Sequence, residues 1–178
     1  MINLKVERSP TMLKKNSTVE ISEPYRILME FGMELNGSLE NVLTRGHFDE
    51  IHPWVKEHRF PHSLNYIPGR GSLKLYEVCF NKQLNICEVW DGLLSLRLLP
   101  ADLFHIVSFG AQYPEWESPE YPEDGFLALG SRHVYCGREF APIYSCKALG
   151  SRAISVLYVF DGRKYVRYGS RQKFAAIG

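Results

Sequence analysis

"YSCKALGSRAISVLYVF", residues 144–160, decides how the rest of the chain is read. Five residues separate Cys146 from Arg152, the spacing of a cysteine phosphatase loop, in which a thiolate attacks phosphorus while an arginine and backbone N–H groups hold the oxyanion. Such a loop needs a strand before the cysteine and a helix beginning at the arginine, because the helix N-terminus supplies the anion-binding amides. "FAPIYS" can be the strand. After Arg152, however, comes "AISVLYVF", β-branched and aromatic, followed by Asp161-Gly162, a hairpin-turn signal. The spacing therefore predicts a strand over 152–160, with Cys146 in the core and no helix dipole facing it. Gly150 also stands one residue later than the phosphatase pattern requires, and no separate loop offers a general-acid aspartate.

Around this strand the sequence reads as sheet. "GFLALG", "HVYCGREFAPIYS", "AISVLYVF" and "KYVRYG" form a run of strands, and upstream "SLKLYEVCF" (72–80) and "LNICEVW" (84–90) read as a hairpin joined by "NKQ". Between the two groups, Pro100 opens a helix with Asp102 in its first turn; Leu103, Phe104 and Val107 form its inner stripe and Gly110 ends it. Toward the N-terminus, Ser22 and Pro24 start a helix over 22–36 with Leu28, Phe31 and Leu35 at helical spacing, closed by Gly37. Ser38 caps a second short helix through Leu43, and the following stretch, with its prolines and glycines, reads as irregular. The expected class is α+β: N-terminal helices with a mainly antiparallel sheet in the C-terminal half. No repeat or break in composition splits the 178 residues, so one domain is expected, helical or irregular over 1–70 and sheet-rich over 71–178.

Hydrophobic residues make up 45% and charged residues 23%, a globular balance, and a formal net charge of +1 provides no global field toward nucleic acid or an anionic membrane. The N-terminal segment has no apolar run of signal-peptide length, so the chain is expected to stay inside the cell rather than be secreted, and no stretch has the apolar length of a membrane span. Cys79, Cys87, Cys136 and Cys146 form no CxxC pair, which reads as reduced thiols.

Three clusters invite chemistry. His47, His52, His58 and His62 fall within sixteen residues, but prolines at 53 and 61 keep any helix from presenting two imidazoles on one face. A polar loop is the better reading, and neither a metal nor a cofactor is expected. "YPEWESPEYPEDG" (113–125) packs five carboxylates, three prolines and three aromatic residues into thirteen positions. That mixture suits a sugar or adenine site, with rings on a ligand face and carboxylates for acid and base work, or else a stiff solvated connector. Arg163, Lys164, Arg167, Arg171 and Lys173, interleaved with Tyr165 and Tyr168, can meet a phosphate backbone or simply charge the outer side of an edge hairpin; no reader motif supports nucleic acid.

As text, "YVRYGSRQKFAAIG" carries Val166, Arg167, Gly169, Lys173, Phe174 and a final Ile177-Gly178 in the order of a V-R-x-G strand followed by K-F-A-I-G, with one extra alanine. "GSLKLYEVC" with "WDGLLSLRLLP" follows an L-Y-x-Y strand, a G-x-L-L stretch and a proline; Tyr76 falls on the second tyrosine and Lys74 replaces the first. "GFLALGSRHVYCGRE" fits an F-L-A-I…V-x-x-G strand pair. Over residues 71–178 the chain thus resembles the RolB/RolC, or plast, family of Agrobacterium T-DNA proteins, nearest its RolC-like members, while residues 1–70 match nothing in it.

The resemblance implies a modulator of plant growth, hormone response and development acting in the transformed plant cell, in its cytoplasm or nucleus, through host plant proteins or a small phytohormone-related ligand. It also implies two enzymatic alternatives. One is a cytokinin-glucoside hydrolase of β-glucosidase type, with Glu115, Glu117 or Glu120 as the carboxylates. The other is an ADP-ribosyltransferase-like fold and activity using the neighbourhood of Tyr76 and Glu117.

Overall fold

The computed structural model describes residues 25–33, 35, 37–57, 59–60, 73–116, 125–146 and 151–178. Residues Arg152–Phe160 run extended as β9, and β8 (Arg138–Cys146) pairs with it antiparallel from Glu139↔Phe160 to Cys146↔Arg152, with a bulge beside Glu139. Short β6 (Phe126–Leu127) and β7 (His133–Tyr135) follow one another along the other edge of β8. β8 leaves β7 through Cys136-Gly137, where both residues adopt the left-handed conformation of a tight hairpin turn.

The segment "KFAAI" becomes β11 (Lys173–Ile177), which lies between β6, paired parallel, and β3 (Leu73–Phe80), paired antiparallel. The strand order is β1-β3-β11-β6-β8-β9-β2, where β1 is Tyr25–Met33 and β2 is Glu50–Ile51; β5 (Leu99–Pro100) adds to β11. Most pairings are antiparallel, and the class is α+β as the sequence led us to expect.

Both faces of this sheet are covered, because alternate residues of each strand enter different cores. Leu75, Phe126, Tyr144, Cys146, Ile154, Ala175 and Ile177 face one core, which they share with Leu103, Phe104 and Val107 of α4 (Leu103–Gln112) and with Leu39 and Val42 of α1 (Leu39–Gly46). Val78, Phe80, Leu127, Ala141, Val159, Phe174 and Ala176 face the other, filled by Ile86, Val89 and Leu93 of α3 (Ile86–Ser95). Residues before Leu73 and after it share the first core.

Three local expectations are corrected. Residues 25–33 form edge strand β1 rather than part of a helix over 22–36: Tyr25, Ile27, Met29, Phe31 and Met33 alternate at period two, and a bulge at Leu28 breaks the register with β3. The edge this leaves is carried by exposed Arg26 and Glu30, the latter 2.7 Å from Lys74 Nζ, charges that discourage pairing with another chain. Residues 84–90 give only a two-residue strand, β4 (Leu84–Asn85), before α3 begins. Asn85 accepts from the N–H groups of Cys87 and Glu88, Glu88 accepts from Asn85 N, and this capping box outweighs the strand preference of Ile86 and Val89. In α4, Asp102 is the cap rather than a first-turn residue, and the helix runs past Gly110 to Gln112. Ser38 caps α1 as expected, accepting from Asn41 N.

Candidate functional site

With Ile86, Val89 and Leu93 turned inward, α3 leaves Cys87, Trp90 and Asp91 along its outer side. The turn after β9 brings a second aromatic to them. Asp161 accepts from the backbone N–H groups of Lys164, at 2.8 Å, and Arg163, at 2.9 Å, and those bonds hold its carboxyl below its ordinary range. Gly162 takes a φ of 91°, which suits glycine, and a bridge between Phe160 and Tyr165 closes the turn with their rings 5.0 Å apart.

Tyr165 then stands beside α3 and lines one groove with Cys87. The charge of Glu139, and after it Cys87, pushes its phenol up from the ordinary tyrosine value, so it remains a protonated donor. Arg132 donates to Glu139 at 3.0 Å and holds its guanidinium 5.9 Å from the centroid of the Trp90 ring.

These groups line two adjoining grooves. The smaller, of about 310 Å³, is bounded by Ile86, Cys87, Trp90, Asp91, Arg132 and Tyr165. Beyond Tyr165 the larger, of about 680 Å³, is bounded by Asn85, Tyr158, Asp161, Lys164, Val166 and Arg167. Arg167 belongs to β10 (Arg167–Tyr168), which pairs with β4; its guanidinium donates to the Gln83 carbonyl and lies 3.3 Å from Glu88. The Trp90 indole N–H is buried and meets no hydrogen-bond acceptor among the described residues. Flat rings, a guanidinium stacked on one of them and donors at the far end form a surface for a planar, acceptor-bearing molecule.

The residues anticipated from sequence lie elsewhere. Glu115 is exposed just past α4, while Glu117 and Glu120 lie outside the described residues. Trp116, next to Glu115, is buried in the first core among Phe109, Phe126 and Tyr144. Tyr76, on β3, packs half-buried against the second core, so it and Trp116 lie on opposite faces of the sheet. The described part of the acidic segment and Tyr76 are not brought together.

The Cys146–Arg152 pair has the character of a structural contact. Cys146 is buried, and Arg152 donates to the carbonyls of Gly110, at 3.0 Å, and His47, at 3.1 Å, with its guanidinium over Phe48. Its backbone N–H donates to Asp49 at 2.7 Å. The cation thus ties the ends of α4 and α1 to the sheet. Residues 147–150 of that stretch lie outside the described set.

His47 is the left-handed C-cap of α1, and His52 caps α2 (Pro53–Lys56) by accepting from Trp54 N, whereas His58 and His62 lie outside the described residues. Among the described residues no group of three or more His, Cys, Asp or Glu is placed to hold a metal ion. The basic C-terminal face is divided: Arg163, Lys164 and Arg171 are exposed, but Lys173 is fully buried beside Glu77, and Tyr168 is buried with its hydroxyl donating to the Tyr158 carbonyl.

The sequence reading took Cys87 only as a reduced thiol and did not single out Trp90 or Arg132. Asn85 followed three residues later by Glu88 signals a helix start there, and that helix places Cys87 and Trp90 on one outer side. Arg132 had no comparable signal. No helix among the described residues is long and apolar enough to cross a membrane. No family model, curated protein or solved structure matches the chain.

Proposed function

We propose that the chain is a binding protein that captures a small planar ligand in the grooves beside α3. Through that capture it acts as a modulator of plant growth and hormone response inside the transformed cell, the role that its RolB/RolC resemblance implies. The observation that carries this reading is the Arg132 guanidinium stacked over Trp90 next to Tyr165, an arrangement that offers ring faces and a cation to one flat heterocycle. Phytohormone-related purines and indoles belong to that chemical class.

Calorimetric titration of the full chain with adenine-based and indole-based ligands tests it. Binding of one class that weakens about tenfold or more in Trp90→Ala and Arg132→Ala, with the fold intact by circular dichroism, supports the reading. Binding unaffected by both substitutions, or no binding of either class, overturns it. Release of the base from a cytokinin glucoside by the pure protein would favour the hydrolase instead.

A further inference from the structure

The larger groove offers more hydrogen-bond donors than open acceptors. Asp161 commits one carboxylate oxygen, Oδ1, to two backbone N–H groups of its own turn. Glu88, which does not line this groove, uses one oxygen, Oε2, on Asn85 N and on Arg167. Asn85 uses its side-chain oxygen on the N–H groups of Cys87 and Glu88, and its amide hydrogens meet no acceptor among the described residues. Lys164 lines the same groove and makes no ion pair within 4 Å among the described residues. A molecule entering here meets the Lys164 cation, the Asn85 amide NH₂ and tyrosine hydroxyls, and these donors favour an acceptor-rich anion.

The smaller groove offers ring faces instead, and Tyr165 bounds both. A ligand that satisfies the two together has a planar base at one end and an anion at the other, with a polar spacer passing Tyr165. An aromatic ring with a short acid side chain would fill the 310 Å³ groove and leave the 680 Å³ one without an occupant. We infer that the ligand is a nucleotide, its base against Trp90 and Arg132 and its phosphate at Lys164 and Asn85. This inference rests on the ligand-capture reading above and adds the phosphate to it.

Titration calorimetry of the full chain at low salt with AMP, adenosine and adenine separates the two claims. The expected result is AMP binding at least about tenfold tighter than adenosine, the advantage vanishing in Lys164→Gln while adenosine affinity is unchanged. Lys164→Gln keeps the backbone N–H that serves Asp161, and a thermal melt confirms that it folds. Adenosine binding as tightly as AMP overturns the phosphate assignment but leaves base capture standing. AMP binding that Lys164→Gln does not alter overturns it equally. Adenine binding without AMP or adenosine removes the nucleotide alone, and no binding by AMP, adenosine, adenine or the indole ligands removes both readings.

Discussion

Lys173 Nζ lies 3.4 Å from a carboxylate oxygen of Glu77, with both side chains buried in the middle of the sheet on neighbouring strands β11 and β3. Removing one member leaves a charge in a low-dielectric interior, whereas removing both replaces two desolvated ions by apolar packing. Lys173→Met should therefore destabilise the fold by about 3–5 kcal/mol, and Lys173→Met/Glu77→Leu should recover most of that loss. Urea denaturation of the two variants checks this; a double variant no more stable than the single one contradicts it.

Arg152 is predicted to hold helices rather than substrate. Arg152→Ala should cost about 1–3 kcal/mol through two lost charge-assisted bonds to the carbonyls of Gly110 and His47. Hydrogen exchange should rise first at the C-terminal turns of α1 and α4.

The four cysteines divide in two. Cys87 and Cys136 are exposed, whereas Cys79 and Cys146 are buried, the former donating its S–H to the Ser170 carbonyl at 2.8 Å. Ellman's reagent on the native protein should titrate Cys87 and Cys136 quickly and the other two only after unfolding. Rapid modification of Cys146 in the native state would reopen thiol chemistry.

Alkaline pH should weaken the fold through its buried phenols. Burial raises Tyr144 well above the ordinary tyrosine value of 10.0, with Cys146 adding to the effect, and burial likewise raises Tyr168. Below that ordinary value both phenols are protonated in folded and unfolded chains alike, and their contribution is fully present. Above it the unfolded chain ionises first, so stability falls as pH rises toward the folded values. Spectrophotometric titration should show these two tyrosines silent until the protein unfolds, and Tyr144→Phe/Tyr168→Phe should flatten the stability loss above pH 10.0.

What the sequence made legible is mostly what local pattern controls. The β-branched run after Arg152, the turn at Asp161-Gly162 and the Ser38 cap each act within a few residues, and each appears where its chemistry puts it. β1 was missed because two patterns compete in the same letters. Leu28, Phe31 and Leu35 mimic a helical stripe, while the alternation from Tyr25 to Met33 needs β3 alongside before it outweighs that stripe. α3 was missed because Ile86 and Val89 suit a strand until the Asn85–Glu88 reciprocal bonds are counted. The grooves were beyond any spacing rule, since Trp90, Arg132 and Tyr165 come from a helix, a loop and a turn that only the folded sheet brings together. Lys173 looked like one more surface cation, and only the placement of β11 between two other strands explains its burial.

That placement bears on how the chain is made. β11 follows every other described strand in chain order, yet β3, β5 and β6 all pair with it. On the ribosome, β3 and β6 emerge first and must wait with open edges, so the two halves join only when residues 173–177 arrive to bridge them. Premature termination just upstream of Lys173 would release two unjoined half-sheets, each presenting an edge suited to aggregation.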